Sequence, residues 1–426
     1  MPNFSIALSG LKADSTSLDT IADNLSNMSK TAYKTKTTSF SDTFYQSLGT
    51  SGSGDSISVG TGTKVSATTT DFTQGSYTTS GTSASDMAIS GDGFFVVKNS
   101  SGEYLTRDGS FTEDSSGYLE TSSGAYLMGY GVTDGVADTS KLTQISLPTS
   151  GSVMNASAST EMTVTANLDS TTATGSTYSS TVTLYDSLGD THTATITYTA
   201  EGNNTWNYSI ELPASDYTSG TSTAITGTLT FDSSGNLSTV TSGGVTYTVG
   251  TATGDVSSVD LAFSGLSDGA SDLSVKWNLL NSSDGQILTQ VDSTSATSSA
   301  KADGYAAGTY ESFSVDSDGM VEASYSNGQT VAVGQVALAD VENEQGLEDA
   351  GSDMYATTVA SGSMNVGVAD TGALGSIKDS ALEESNVDIS TEFSELIIAQ
   401  RAFEANSKSI TTFDTVTQET INLIHA

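Results

Sequence analysis

Both ends of the chain carry large hydrophobic residues at seven-residue intervals, with further hydrophobic positions between them. Near the N-terminus these residues are Phe4, Leu8, Leu11, Leu18, Ile21 and Leu25. Near the C-terminus they are Ile389, Phe393, Leu396, Phe403, Ile410 and Ile424. Recurrence at this interval places side chains along one face of a helix. The sequence therefore predicts a helix at each end, and Asn386 or Asp388 could cap the start of the second.

The two hydrophobic stripes allow more than one interpretation. Each could belong to an amphipathic helix that lies on its own globular core. However, the stripes stand at opposite ends of the chain, and no comparable helical pattern lies between them. Each would leave a hydrophobic seam exposed unless it met the other end or copies from neighbouring subunits. We therefore expect coiled-coil packing of the ends and assign the stripe residues to subunit packing.

The interior of the chain alternates hydrophobic and polar residues between turn signals. Such signals occur at residues 91–93, 186–189, 233–236 and 318–319. Gly, Asn and Asp tolerate the positive φ angles that tight hairpin turns require. The pattern predicts a mainly β protein with α-helical coiled-coil termini, built from nested, discontinuous domains with an inserted outer β module.

Charge marks the inserted module. No Lys or Arg occurs from Leu142 to Val275, whereas twelve acidic residues lie between Glu161 and Asp272, and Pro148 falls near the start of this stretch. We expect terminal helices at 1–30 and 380–426, connecting segments at 31–70 and 365–379, a discontinuous β domain at 71–147 and 296–364, and an inserted acidic β domain at 148–295.

Composition excludes several classes of function. The chain has 426 residues, with 50 acidic and 13 basic ones, so its formal net charge is −37. Nucleic acids and anionic membrane surfaces attract cationic proteins, so neither is an expected partner. No run approaches the roughly 18 apolar residues of a membrane span, and no cleavable secretory signal follows Met1. The chain has no Cys, which excludes disulfides and thiolate chemistry.

Candidate chemistry is sparse. His192 and His425 have no partner at motif spacing, and no Gly-x-Ser-x-Gly motif accompanies them. Residues 91–96 begin like a dinucleotide fingerprint, but Val96 occupies the third glycine position and a strand is expected to follow. Residues 314–325 lack the final Glu of a calcium loop. We therefore expect no catalytic residue, no cofactor and no metal, and interpret the glycine-rich segments as turns.

Blocks at both ends and in the first β region resemble bacterial flagellar rod and hook proteins. The residues that carry the resemblance are Asn24, Asn27, Tyr33, Lys34, Gly91, Gly93, Phe94, Phe95, Arg107, Gly109, Asn386, Gln400 and Arg401. They belong to blocks that occur in the family's order and cover roughly half the chain. At Ala32 family members usually have Gly, and at Asp23 they usually have Asn or Gly.

The middle of the chain favours the hook members of this family. Residues 185–189, 325–329 and 334–336 are similar to hook features, whereas rod members are typically shorter. The resemblance implies a structural subunit, not an enzyme, that polymerises into a curved tube and transmits motor torque from rod to filament. It implies type III export to the extracellular hook, and as partners the chain itself, the hook cap, the distal rod and the hook–filament junction proteins. A distal rod or other axial protein, and a secreted β-rich surface adhesin, are the alternatives.

Overall fold

The computed structural model describes residues 4–50, 56–79, 83–133, 135–250, 252, 254–281, 283 and 285–424. The chain forms two compact units. The first comprises the residues up to Thr149, Ser312–Ser324, and the residues from Thr330 onward. The second comprises Ser150–Glu311 and Tyr325–Gln329.

The helices and strands follow in chain order. Up to Thr149 they are α1 (Phe4–Ser26), β1 (Lys36–Asp42), β2 (Tyr45–Thr50), β3 (Ser56–Gly60), β4 (Thr63–Thr70), β5 (Tyr77–Thr79), β6 (Met87–Ser90), β7 (Phe94–Asn99), β8 (Gly102–Thr106), β9 (Thr112–Glu113), β10 (Leu119–Glu120), β11 (Tyr126–Thr133) and β12 (Val136–Gln144). Next come β13 (Val153–Met154), β14 (Glu161–Asp169), β15 (Thr177–Tyr185), β16 (Thr191–Gly202), β17 (Thr205–Glu211), β18 (Ile225–Phe231), β19 (Leu237–Ser242), β20 (Val245–Thr248), β21 (Ser258–Phe263), β22 (Leu273–Asn278), β23 (Leu288–Val291), β24 (Ala296–Ala302) and β25 (Gly308–Val315). The last are β26 (Met320–Tyr325), β27 (Thr330–Asp340), β28 (Glu348–Gly351), β29 (Met354–Ala356), β30 (Asn365–Val368), β31 (Ser376–Asp379), β32 (Ala381–Glu383) and α2 (Ile389–Ile424).

The core of the first unit forms on both faces of one sheet. In this sheet β27 pairs with β11, β7 and β30, and β7 continues to β8 and β29. Phe94 and Phe95 on β7 are fully buried on opposite faces, because successive side chains of a strand alternate. Phe94 packs against Phe72, and Phe95 against Phe111. The predicted fold class, mainly β with helical ends, is confirmed.

The second unit contains two sheets that share one hydrophobic core. Strands β15 to β20 form a six-stranded meander, and β14 lies among β22, β23 and β24 in a five-stranded sheet. Trp206 from the meander and Trp277 from the other sheet belong to the same buried cluster. Both tryptophans of the chain therefore report on the second unit.

Domain boundaries differ from the expected ones on the return side of the insertion. The expected insertion ends at residue 295, but β24 pairs with β14, and the second unit continues to Glu311. The Ser/Thr/Ala-rich sequence of β24 has no hydrophobic pattern of its own. The pairing of β24 therefore depends on tertiary contacts, and the local sequence pattern does not predict it.

The expected connecting segments also contain paired strands. Within 31–70, β1 pairs with β4 and β2 pairs with β3. Within 365–379, β30 joins β27 in the main sheet, and β31 pairs with β6. Both expected connecting segments therefore take part in the β structure of the first unit.

Candidate functional site

The two predicted helices pair with each other in antiparallel orientation. The Nδ2 atom of Asn24, near the end of α1, donates to Glu392 Oε1 at 3.1 Å, near the start of α2. Further along, Asn406 Nδ2 donates to Asp14 Oδ2 at 2.7 Å. Asp388 caps α2, since its Oδ1 accepts the amide hydrogens of the second and third residues that follow it, at 2.8 and 3.0 Å.

The predicted stripe residues differ in their exposure. Ile21 is buried, and Leu11, Leu18, Leu25, Leu396, Phe403 and Ile410 are half-buried. Phe4, Leu8, Ile389 and Phe393 are exposed, and the side chain of Ile424 lies outside the described ones. The helix pair therefore covers only part of the hydrophobic surface that the stripes create.

A row of large hydrophobic side chains on α2 remains in solvent. Ile397, Ile398 and Leu423 are 57%, 67% and 76% exposed, and Val416 and Ile421 are about half exposed. They extend from near the start of the helix to its end. Among the described residues, no helix is long and apolar enough to cross a membrane.

A buried ion cluster, formed by Lys34, Arg107 and Glu383, lies close to the start of α2. The Nζ atom of Lys34 is 2.6 Å from Glu383 Oε1, and Arg107 Nη1 is 3.6 Å from Glu383 Oε2. All three side chains are almost wholly buried. Burial lowers the pKa of Lys34, and the Glu383 carboxylate opposes this effect. The cluster joins the N-terminal segment, the main sheet and the strand that precedes α2.

Two asparagines fasten the segment that follows α1. Asn24 exchanges two hydrogen bonds with the backbone of Lys36, at 2.8 and 2.9 Å. Asn386 accepts from the amide of Thr35 at 2.8 Å and donates to the carbonyl oxygen of Asp71 at 2.8 Å. The hydroxyl of Tyr33 donates to Asn24 Oδ1 at 3.2 Å. Residues from four separate stretches of chain are thus tied together where α1 ends and α2 begins.

The backbone geometry explains why glycine occupies the motif positions. Gly91 and Gly93 both have φ near +110°, as their interpretation as turns requires. A Cβ on Gly109 would lie 1.7 Å from the carbonyl oxygen of Met87, so no larger residue fits without backbone movement. Ala32, where the family usually has Gly, adopts φ 55°. These residues shape the backbone.

The remaining motif residues lie on the helices. Asn27 donates to the carbonyl oxygen of Asp23 and so helps to end α1. Gln400 and Arg401 are exposed on α2, and Arg401 lies 3.7 Å from Glu404, which is also exposed. The structure therefore divides the motif residues among three places. The junction of the two chain ends, the region of the main sheet and the exposed face of α2 each hold some of them.

Sequence reasoning missed the acidic partners. Glu383 and Glu392 are buried, and burial raises the pKa of Glu392. Glu383 lies within the block that resembles the family, but nothing local indicates that it faces Lys34. His192, which has no partner at motif spacing, lies 2.9 Å from Asp216, which is on a loop. Burial lowers the pKa of His192, but the neighbouring carboxylates outweigh it, Asp216 first, and raise that pKa above its ordinary value.

Comparison with known proteins identifies relatives over the whole chain. Three family models match: flagellar basal body protein FlaE D2 domain at residues 154–305, flagellar basal body rod FlgEFG protein C-terminal at 378–423, and flagellar hook protein FlgE/F/G D1 domain at 88–167. Flagellar hook protein FlgE of Rhizobium meliloti is 34% identical over 98% of this chain and 97% of its own length. That of Escherichia coli is 32% identical over 99% of each chain.

A solved structure supports the fold. The crystal structure of Helicobacter pylori flagellar hook protein FlgE2 matches with a TM-score of 0.53 and 14% identity, covering 72% of this chain and 99% of that one. At this identity the match concerns the fold alone. Together, the relatives and family models confirm the predicted resemblance and support the hook interpretation over the rod and adhesin alternatives.

Proposed function

Because this chain belongs to the flagellar hook protein family, we propose that the exposed faces of α1 and α2 join copies of it into the tube of the hook. The subunit is a structural part of the flagellar hook. The observation that carries the proposal is the row of large hydrophobic residues that the α1–α2 pair leaves exposed. In a polymer, neighbouring copies would cover this row.

Burial of this surface between subunits would favour association. Full burial of an Ile or Leu side chain contributes about 1.5–3 kcal/mol. Ile397, Ile398 and Leu423 are more than half exposed, so each would contribute about 1–2 kcal/mol on burial. Since each subunit of a helical polymer meets several neighbours, such contributions add along the tube.

The buried ion cluster serves a second part of the proposed function. A hook must transmit torque from the motor while it bends, so the helical ends and the main sheet of each subunit must move together. The contacts among Lys34, Arg107 and Glu383 fix the chain ends to that sheet within one subunit. The bending of the hook would then come from changes in the contacts between subunits.

The further partners are proposed from family membership. We propose that the polymer contacts the distal rod at one end and the hook–filament junction proteins at the other, and that it grows beneath the hook cap. We also propose that the subunit is exported by the flagellar type III apparatus. Pull-down of each partner by the purified chain, and secretion assays in strains that lack the export apparatus, test these contacts separately.

The assembly surface is tested by placing a charge in the hydrophobic row. Ile398→Asp would bury a carboxylate among hydrophobic residues of neighbouring subunits, which is strongly unfavourable. We expect a secreted, folded subunit that forms no hooks. Thr411→Asp adds the same charge at an exposed polar position of α2, away from the members of the row, and should leave hooks intact.

Electron microscopy of cells, together with circular dichroism of the purified subunits, gives the readout. Normal hooks built from the Ile398→Asp subunit would refute the assembly surface. Loss of hooks in both variants would mean that α2 does not tolerate added charge at exposed positions in general. That result would count against a specific role for the hydrophobic row.

A further inference from the structure

Four side chains of the second unit converge at the start of β16. His192 is only 4% exposed, and its Nδ1 lies 2.9 Å from Asp216 Oδ2. Its Nε2 lies 3.2 Å from Asp268 Oδ2 and 3.6 Å from Asp186 Oδ2. The imidazole is therefore surrounded by three carboxylates that come from three different loops. Neither the assembly surface nor the buried ion cluster uses these residues.

Each carboxylate holds its own loop with one oxygen and presents the other to the imidazole. Asp186 Oδ1 accepts two amide hydrogens of its turn, at 2.8 and 2.9 Å. Asp268 Oδ1 accepts the amide hydrogen of Ala270 at 2.9 Å. Asp216 Oδ1 accepts from the Ser215 hydroxyl at 3.0 Å. In all three cases Oδ2 faces His192, and backbone amides hold the carboxylates of Asp186 and Asp268 in place.

Two polar atoms at the centre lack a partner. Within the described part of the chain, His192 Nε2 and Asp186 Oδ2 are buried and make no hydrogen bond of adequate geometry. No Lys or Arg occurs between Leu142 and Val275, the stretch that contains all four residues. The imidazole can carry at most one positive charge, whereas three carboxylates face it, and that of Asp186 is fully buried. Unbalanced buried negative charge is costly. A positive charge at this point would therefore be stabilising.

We propose that Asp186, His192 and Asp268 bind a divalent transition-metal ion such as zinc, and that Asp216 orients the histidine. The ligand atoms all lie within 4.8 Å of one another. Tetrahedral coordination with bonds of about 2.0–2.2 Å requires ligand atoms about 3.3–3.6 Å apart. The distances of 3.2 and 3.6 Å from Nε2 agree with this geometry.

The role of Asp216 is that of a positioning residue. A histidine that binds a metal through one ring nitrogen usually donates the other N–H to a carboxylate, which fixes its tautomer. The Nδ1–Oδ2 distance of 2.9 Å provides this contact. Asp268 lies at the surface of the unit and gives the ion a route of entry. The bound ion would join the loops of Asp186 and Asp268 to the start of β16, in a chain that has no cysteine.

The experiment uses the full-length purified chain. After chelation and dialysis, zinc is titrated in by calorimetry in the presence of salt and excess Mg²⁺, which suppress general binding to an acidic surface. We expect saturable binding of one ion and a raised melting temperature of the transition seen by Trp fluorescence. Asp268→Asn should abolish this binding. Asp216→Asn should weaken it about 10- to 100-fold.

The control is Asp260→Asn, which removes an exposed carboxylate from β21 of the same unit and should leave binding unchanged. If the wild-type chain binds no zinc, the proposal is overturned. Equal binding by the Asp268→Asn and Asp260→Asn chains would overturn it as well, because the ions would then be held by the acidic surface. The result does not depend on whether the chain assembles into hooks.

Discussion

Removal of the buried Lys34 charge would leave Glu383 with Arg107 as its remaining positively charged neighbour in the buried ion cluster. Lys34→Met keeps most of the side chain's volume but deletes the 2.6 Å contact with Glu383 Oε1 and the 2.8 Å hydrogen bond to the carbonyl oxygen of Thr73. Removing one partner of a buried ion pair costs about 3–5 kcal/mol. Arg107 remains 3.6 Å from the same carboxylate. We therefore expect the free energy of unfolding of the Lys34→Met chain to fall by about 3 kcal/mol, near the lower limit of this range.

A second substitution tests the remaining pair. Glu383→Gln in the Lys34→Met background keeps an oxygen to accept the amide hydrogen of Gly75 but leaves the buried Arg107 without its carboxylate partner. The double variant should therefore be less stable than Lys34→Met alone. Lys98→Met provides the matched control, since Lys98 and Glu103 are 2.9 Å apart but 47% and 38% exposed. Breaking such a surface pair costs about 0–1 kcal/mol.

Urea unfolding followed by two probes tests the reasoning. Circular dichroism follows the whole chain, whereas the two tryptophans lie in the second unit. The Lys34→Met substitution should shift the dichroism transition and leave the fluorescence transition in place. A cost below about 1 kcal/mol, equal to that of an exposed pair, would refute the stabilising role of the buried ion cluster. A double variant as stable as the single one would refute it as well.

Four further substitutions test other features of the structure. Ala32→Gly should stabilise the first unit by up to about 1 kcal/mol in thermal unfolding, because Ala at φ 55° is strained; a loss of stability would contradict this. Gly109→Ala should cost about 1–3 kcal/mol through the close carbonyl contact, whereas Gly131→Ala, with open space, should cost much less. Burial raises the pKa of Glu392 in the folded chain, so the folded state binds the proton more tightly than the unfolded state does. The free energy of unfolding of the wild-type chain should therefore fall as the pH rises above the ordinary carboxyl range. The Glu392→Gln chain should show a smaller fall over the same pH range. Deletion of residues 150–311 with a short Gly-Ser linker should leave hook formation intact, because paired strands enter and leave there; a secreted subunit that forms no hooks would refute it.

The features that could be predicted from the sequence are those that depend on residues close together along the chain. A seven-residue hydrophobic period predicts a helix even when its packing partner is unknown. Both predicted terminal helices are present. Tight turns require residues that accept positive φ, and Gly91 and Gly93 adopt it. The family resemblance rests on short blocks of this kind, which is why the comparisons agree with it.

Tertiary structure alone decided which distant residues meet. Lys34 and Glu383 are 349 positions apart, so no local pattern could pair them. The same reason explains β24, whose pairing with β14 moves the return of the insertion beyond residue 295. His192 gains its carboxylates from loops that only the folded unit brings together. Charge pairing and strand pairing act through space, whereas helix and turn preferences act along the chain.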